Sequence, residues 1–122
     1  MNTLIDDTLG TFYYQGAWVA PARVNYDKNK IDLAFQAFED EKISLQQKEL
    51  YGFVTRNYDK IISATKNRLA DMASKIKIHT LFFDRFNAYG FLGDMKDDEH
   101  GIAVKFIGEH FQPQIGLQDI LI

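Results

Sequence analysis

The residues best suited to chemistry lie in one short acidic stretch at positions 94–101, DMKDDEHG. Carboxylates are the ligands that calcium and magnesium prefer, and a neighbouring histidine can exchange protons near neutral pH. A sixth candidate is a carboxylate near the C-terminus, which strand pairing in the last hairpin would bring to the same place. The candidate binding residues are Asp94, Asp97, Asp98, Glu99, His100 and Asp119.

The spacing of these acidic residues does not match a calcium loop of the EF-hand type. Such a loop needs an oxygen ligand at its third position, a glycine at its sixth and a glutamate at its twelfth. Counted from Asp94, those positions hold Lys96, Glu99 and Lys105. An irregular magnesium or calcium site remains an open alternative, and its ligands would be Asp94, Asp97 and Asp98.

Other kinds of reactive site find no support in the sequence. The chain has no cysteine, which excludes disulfides, thiolate metal ligands and cysteine nucleophiles. The histidines at 79, 100 and 110 lack the spacing of a zinc site. Neither a Gly-Xaa-Ser-Xaa-Gly elbow nor a glycine-rich phosphate loop is present. We therefore expect no enzymatic activity and no cofactor.

A structural role in a turn explains the acidic stretch better. Acidic side chains favour turns because they bond to backbone amides two residues on, and Gly101 accepts the backbone angles that a turn needs. If residues 108–110 form the tip of the last hairpin, the residue numbers of two directly opposed positions on its strands add to about 218. Asp119 would then lie opposite residues 98–100 and reach the amides there or the ring of His100.

Strand patterns occupy both ends of the chain. Residues 11–14 and 17–20 are aromatic and β-branched runs separated by Gln15-Gly16, which predicts a hairpin. Pro21 marks an edge or a bulge because it cannot donate to a strand ladder. Alternation predicts a half-buried strand at 31–38, where helical spacing also fits. Further strands are predicted at 76–83 (or a buried connector there), 88–95, 102–107 and after the turn at 108–110.

One long helix is predicted for the middle of the chain, at about residues 45–74. Ser44 and Gln47 match a capping box, and apolar residues recur with the helical period after it. Gly52 would weaken this helix, so a break near it is an alternative. The simplest arrangement is a single α+β domain over residues 1–122, with an antiparallel sheet of about five or six strands packed against one long central helix. The element order is β-β-β-α-β-β-β.

Charge and hydropathy limit the kinds of partner that we expect for this chain. Residues 42–85 carry nine Lys/Arg and four Asp/Glu, whereas the whole chain has a net charge of −3. We interpret this positive region as a solvent-facing helix surface, and with a pI of about 5.5 we expect no nucleic-acid partner. No apolar run approaches the ~20 residues of a membrane helix, and no signal peptide is evident. We therefore expect a cytoplasmic protein without a membrane partner.

The last third of the chain, YGFLGDMKDDEHGIAVKF followed by IGLQDILI, resembles a poorly characterised bacterial domain family of unknown function. The family pattern is an aromatic-Gly strand, an acidic stretch, Glu-His-Gly-Ile/Leu-small-Val, a turn and Gly-Xaa-Gln-Asp. The matching residues are Glu99, His100, Gly101, Ile102, Val104, Gly116, Gln118 and Asp119. Gly16-Ala17-Trp18 resembles the family's early Gly-Xaa-Trp strand, whereas Met95-Lys96 departs from the pattern. Some members lie among polymorphic-toxin immunity proteins, and the resemblance implies that role here.

Two hypotheses of different classes follow. The first is a small binding protein, such as an immunity protein, that occludes a basic, toxin-like protein through an acidic surface formed by residues 94–99 and 39–41. The alternative is a metal- or small-ligand-binding domain that uses the acidic turn at 94–100; bound divalent ions would raise its melting temperature. A homodimer, formed for example through an exposed sheet edge near Pro21, is a further expectation.

Overall fold

The computed structural model describes residues 2–96 and 98–121, without the side chains of Asp98 and Glu99. Eight strands, two α-helices and two 3₁₀ helices follow one another in this part of the chain. In chain order they are β1 (Thr3–Asp6), β2 (Gly10–Tyr14), β3 (Trp18–Tyr26), β4 (Asn29–Phe35), α1 (Leu45–Arg56), α2 (Tyr58–Leu69), a first 3₁₀ helix (Ala70–Lys75), β5 (Ile76–Phe83), β6 (Ala88–Met95), β7 (Asp98–Ile107), β8 (Gln114–Gly116) and a second 3₁₀ helix (Gln118–Ile120).

The strands form one mixed sheet in which their order in space is their order in the chain. Every pair of neighbours is antiparallel except β4 and β5, which run parallel with Phe35 beside Phe83. A parallel pair needs a long crossover, and the helices between residues 45 and 75 provide it. The predicted fold class, an antiparallel sheet of five or six strands on one long central helix, is therefore wrong.

The predicted helix at 45–74 is divided into three parts. The break between α1 and α2 falls at Asn57 rather than at Gly52, with backbone angles of φ −119° and ψ 22°. The Asn57 side chain donates to the Phe53 carbonyl, a local hydrogen bond that competes with continued helix. The α-helix then ends at Leu69, because Ala70 has a positive φ of 49°. The predicted capping box of Ser44 and Gln47 is confirmed.

Several strand predictions are confirmed. The hairpin at 11–20 forms with Tyr14 opposite Trp18, and Gly16 has a φ of +77° in its turn. Pro21 lies in a bulge between β3 and β4 and not at an edge of the sheet. Residues 76–83 form strand β5, and 88–95 form strand β6. The edge strands are instead β1 and β8, which have four and three residues.

The main core lies between the sheet and the helices. Side chains that alternate along the strands, such as Leu33 and Phe35 of β4, pack against Leu50, Val54 and Ile61 of the helices. The opposite face of the sheet carries a second, smaller cluster of alanines and larger apolar residues, against which Val19 and Ile120 pack. The buried members of that cluster are Ala17, Ala34, Phe82, Ala88, Leu92, Ala103 and Leu121.

An ion pair fastens the first hairpin to α1. The Lys48 ammonium lies 2.7 Å from the Asp6 carboxylate, which also accepts hydrogen bonds from Thr8 and Leu9. Burial alone would raise the pKa of Asp6, but Lys48 and these hydrogen bonds outweigh it and hold the pKa well below its usual range. The carboxylate therefore stays ionised in the folded protein well into the acid range.

Replacing Tyr89 with phenylalanine is expected to raise the free energy of unfolding by about 1 kcal/mol. The ring is fully buried between Phe83 and Phe106, and its hydroxyl is the one buried side-chain polar atom without a hydrogen-bond partner in residues 2–96 and 98–121. Removing it removes a desolvated polar group while the ring packing stays. Urea unfolding of both proteins measures the difference.

Tyr58→Phe is the matched control, because the Tyr58 hydroxyl donates to the Asn25 carbonyl. This variant is expected to lose about 1 kcal/mol of stability. A loss of similar size in Tyr89→Phe would show that the Tyr89 hydroxyl has a partner and would contradict the expectation.

No helix within the described ranges is long and apolar enough to cross a membrane.

Candidate functional site

The acidic stretch forms the hairpin between β6 and β7, with Met95 paired to Asp98 across its end. Of the six candidate residues, Asp97 and the side chains of Asp98 and Glu99 lie outside the described part of the structure. The positions of Asp94, His100 and Asp119 are described, and all three residues are exposed. A metal site formed by the carboxylates of Asp94, Asp97 and Asp98 therefore stays a prediction.

Asp94 faces a histidine on the neighbouring strand. Its carboxylate lies 3.5 Å from Nε2 of His79, whose Nδ1 is 2.8 Å from the Thr80 hydroxyl. The Asp94 side chain is 70% exposed, so solvent screens this pair and it contributes little to stability. Among the residues that are described, no three His, Asp or Glu side chains form a group that could hold a metal ion.

The last hairpin has nearly the predicted register. Ala103 pairs with Gly116 and Lys105 with Gln114, so opposed positions add to 219. Strand β8 ends at Gly116, however, and Asp119 lies in the second 3₁₀ helix beyond the ladder. Among the described residues, Gln118 connects this segment to β6, because its Nε2 donates to the Gly93 carbonyl at 3.2 Å.

The glycines of the family pattern make room for this C-terminal segment. Gly101 has a φ of +70°, and a Cβ there would lie 2.4 Å from Nε2 of Gln118. Gly116 is similarly close to Ile120, at 2.9 Å. The Gly-Ile and Gly-Xaa-Gln parts of the motif thus have a packing explanation, since any larger residue at 101 would displace the Gln118 side chain.

A different set of residues gathers at the opposite end of the sheet, where two loops follow the parallel strands. We call residues 36–45 and 84–87 the loop end. Gln47, which is buried, donates through Nε2 to the carbonyls of Gln36 and Asp84 at 2.9 Å each. Its Oε1 accepts from the Ser44 amide at 3.0 Å. One side chain therefore joins both loops to the start of α1.

Further hydrogen bonds hold the two loops together. The Arg85 guanidinium donates to the Glu41 carboxylate at 3.1 Å, and the Arg85 amide donates to the Gln36 side chain. The Trp18 indole donates to the Glu41 carbonyl at 2.7 Å, which ties the first loop to β3. Within the second loop, Asp84 accepts from the amides of Phe86 and Ala88. These hydrogen bonds therefore hold the two loops of the loop end in a fixed conformation.

Three large apolar side chains project from this surface into solvent. Phe38 is 60% exposed, Leu45 is 71% exposed and Phe86 is 75% exposed. The Arg85 guanidinium lies 4.3 Å from the centre of the Phe38 ring, a cation–π contact that orients the ring without burying it. Exposed aromatics beside an arginine, on a rigid support, are typical of the centre of a protein interface.

The charge around these apolar residues is mostly negative. The loop end carries four carboxylates (Glu39, Asp40, Glu41 and Asp84) against two cations (Lys42 and Arg85). Glu41 is paired with Arg85, and Glu39 accepts a hydrogen bond from Asn2. The exposed rim around the aromatic residues is thus net acidic.

The loop end and the acidic turn lie at opposite ends of the sheet. Segment 39–41 follows the C-terminal end of β4, whereas residues 94–99 lie at the other end of β6. The eight residues of β6 separate the two ends by about 25 Å. A single acidic surface that includes both segments stays a prediction, and the 39–41 segment itself lies in the same loop as Phe38.

The sequence predicts residues 39–41 of the loop end as a contact surface, but it does not predict the exposed apolar residues beside them. Phe38 continues the apolar run of β4 and looked like part of that strand. Phe86 stands alone in DRFN, between a charged residue and a turn residue. An aromatic residue within such a polar hairpin loop was the available signal, because the turn itself does not require one.

Comparison of the chain with protein-family models, with curated protein sequences and with solved structures gives no match. The fold itself defines a small protein with an antiparallel-rich mixed sheet and helices on one face. The resemblance to a family with immunity proteins stays a prediction.

Proposed function

We propose that this protein is a small binding protein that neutralises a basic protein partner by covering it, and that the loop end is its contact surface. The observation that carries the proposal is the exposure of Phe38 and Phe86 on two loops that hydrogen bonds fix in place, beside the exposed Leu45 at the start of α1. The immunity role implied by the family resemblance is the specific form of this function.

The arrangement supports binding because its apolar residues are both exposed and preorganised. Apolar anchors contribute most of the affinity of an interface, and a surface that is already rigid loses little conformational entropy on binding. Gln47 and Arg85 supply that rigidity here, since together they join both loops to α1 and to each other. The partner would bury the two phenylalanine rings and leave the carboxylates at the rim.

The partner is expected to be basic because the rim is acidic. Opposite charges at a rim accelerate association more than they increase final affinity. Addition of a strand from the partner is disfavoured as the binding mode, because both edge strands are very short. The loop end therefore remains the surface with the features of a binding site.

A comparison of three bait proteins tests the proposal. Wild type, Phe86→Ser and Ile5→Ser would each be used to capture partners from the native cell at low salt. Ile5 is the matched control, because it is 74% exposed but lies on the edge strand β1, outside residues 36–45 and 84–87. We expect a basic partner whose Kd rises about 30-fold or more with Phe86→Ser and is unchanged with Ile5→Ser.

Neutralisation is tested separately with the captured partner. Expression of that partner alone should slow growth, and coexpression of wild type but not of Phe86→Ser should restore it. Equal loss of binding with Ile5→Ser, or recovery of no stoichiometric partner across growth phases, would contradict the proposal. A partner that binds all three baits equally would place the interface elsewhere and would also contradict it.

A further inference from the structure

A cleft of about 590 Å³ lies at the end of the sheet opposite the loop end. Its walls are the hairpin between β3 and β4, the C-terminal end of α2 with the first 3₁₀ helix, and the start of β5. The volume lies within the range of about 300–1,000 Å³ that small-molecule sites in proteins occupy. Its described wall residues belong neither to the acidic turn nor to the loop end.

The cleft exists because the parallel strands β4 and β5 separate toward their starts. Their paired positions begin only at Asp32 and Thr80, so the earlier residues of the two strands lie apart. A β-bulge lies at this level on each side, one in β5 between Ile78 and Thr80 and one in β3 across from Asp32. Because bulges bend the strands that contain them, we attribute the separation to these two bulges.

Strand β5 directs unpaired backbone groups into this cleft. The Lys96 amide donates to the Lys75 carbonyl, so Lys75 bonds toward β6. Bonded and non-bonded positions alternate in an antiparallel ladder. Lys77 therefore also bonds toward β6, whereas Ile76 and Ile78 direct their amides and carbonyls to the other edge. Strand β4 does not pair with that edge, and within residues 2–96 and 98–121 no other hydrogen bond reaches these groups.

The base of the cleft is apolar. Leu69 and Ile78 are almost fully buried there. The half-buried ring of Tyr26 completes the base and lies edge-on to Phe91, with the ring centres 5.1 Å apart. The positive φ of Ala70, 49°, ends α2 and starts the 3₁₀ helix that forms the second wall. A bound molecule can therefore bury an apolar or aromatic group against this base.

The charged residues around the cleft are matched. Lys66 is ion-paired with Asp27 at its mouth. Lys77 lies opposite Asp94 in the pairing of β5 with β6, and adjacent residues of a strand point to opposite faces, so its side chain lies on the face away from Ile78. The other polar side chains of the wall are uncharged: Asn29 and Ser74. A ligand therefore gains nothing here from a net charge of either sign.

We propose that this cleft binds a neutral molecule that carries an amide next to an apolar or aromatic group, as an N-acylated apolar amino-acid amide does. An amide supplies a donor and an acceptor, which match the carbonyls and amides of Ile76 and Ile78 in the manner of an added strand. The apolar group lies against Leu69 and Tyr26. A free small molecule and a segment of a peptide chain share this chemistry, and the experiment separates them.

The test is a titration of isotope-labelled protein with N-acetyl-phenylalanine amide, followed by amide chemical shifts. Saturable shifts are expected at residues 26–29, 69–74 and 76–78. The amide of Ile76, of Ile78 or of both should move downfield and gain protection from hydrogen exchange, because it forms a new hydrogen bond. The Lys77 amide should change little, because it already bonds to β6.

Four further ligands test the chemistry of the bound molecule. The methyl ester of N-acetyl-phenylalanine lacks the terminal donor and should bind about three- to tenfold more weakly. At mildly acidic pH, N-acetyl-phenylalanine is an anion and phenylalanine amide is a cation. Both should bind more weakly than the neutral amide, because each must desolvate a charge that has no counter-charge in the cleft. N-acetyl-Ala-Phe-Ala amide separates the two sources: tighter binding identifies a peptide segment, and equal or weaker binding identifies a free small molecule.

A matched pair of serine substitutions makes the outcome specific to the cleft. Ser74→Leu places a larger side chain on the wall and is expected to abolish saturable binding. Ser63→Leu is the control, because Ser63 is also exposed but lies on α2 outside the cleft. Lys77→Gln should leave the Kd unchanged, because charge does not take part in recognition. The amide spectra also report whether each variant is folded.

Any of three results would overturn the inference: no saturable shifts with N-acetyl-phenylalanine amide, tighter binding of the anion or the cation than of the neutral amide, or equal loss of binding with Ser63→Leu and Ser74→Leu. None of them would bear on the protein-binding role of the loop end, because the cleft and the loop end lie at opposite ends of β5.

Discussion

Gln47→Met is expected to lower the free energy of unfolding by roughly 3 kcal/mol and to abolish the order of both loops at the loop end. Methionine fills nearly the same volume but can neither donate to the carbonyls of Gln36 and Asp84 nor accept from the Ser44 amide. Each buried group left without a partner keeps its desolvation cost. Urea unfolding measures the stability, and hydrogen exchange at residues 36–45 and 84–87 measures the order.

Gln46→Met is the matched control, because Gln46 is the exposed neighbour in the same turn of α1. Its stability is expected to stay within about 0.5 kcal/mol of wild type. If the proposed function is right, Gln47→Met also weakens partner binding at temperatures where the protein is still folded. Unchanged exchange in both loops would contradict the positioning role of Gln47.

Gly90→Ala is expected to cost about 3 kcal/mol or more, through overpacking between two central strands. A Cβ at Gly90 would lie 1.9 Å from the Val104 carbonyl oxygen, which belongs to the backbone of the paired strand β7. A flexible side chain could turn away, but the ladder itself would have to move here. Thermal and urea unfolding give the size of the effect.

The same substitution at Gly52 is expected to act in the opposite direction. Gly52 lies inside α1, and a Cβ there would meet only the mobile end of the Arg56 side chain, at 3.2 Å. Alanine in a helix interior is favoured by up to about 1 kcal/mol over glycine. Equal effects of the two substitutions would show that the close approach at Gly90 does not govern stability.

Local patterns in the sequence were sufficient where one interaction dominates. Alternation at Ile31, Leu33 and Phe35 identified β4, because one face of that strand is buried against the helices. The capping box at Ser44 and the positive φ at Gly16 are set by neighbouring residues alone. Strand β6 was located at 88–95 because turns bound it on both sides.

The errors arise where distant segments decide the structure. The parallel pairing of β4 with β5 joins residues 48 positions apart, and no local pattern distinguishes it from antiparallel pairing. Strand β1 was missed because its four residues are exposed or half-buried and depend on β2 for their pairing. The apolar period continues across Asn57, so the periodicity alone could not reveal the break there.

The site was less predictable than the fold. Acidic residues attracted attention because their chemistry is visible in the sequence. The exposure of Phe38 and Phe86 depends on which loops Gln47 joins, and that is known only from the packing. The glycines at 101 and 116 were part of a pattern whose physical basis is the space they leave for Gln118 and Ile120.

The single parallel pair, β4 and β5, also divides the sheet into two antiparallel halves. Strands β1–β4 and β5–β8 each form a run of sequential antiparallel neighbours, whose contacts are close in sequence and therefore form quickly. Joining the two runs requires closure of a segment of about 40 residues that contains both helices. We therefore expect two early-forming halves, and the β4–β5 contact between Phe35 and Phe83 as the step that makes folding cooperative.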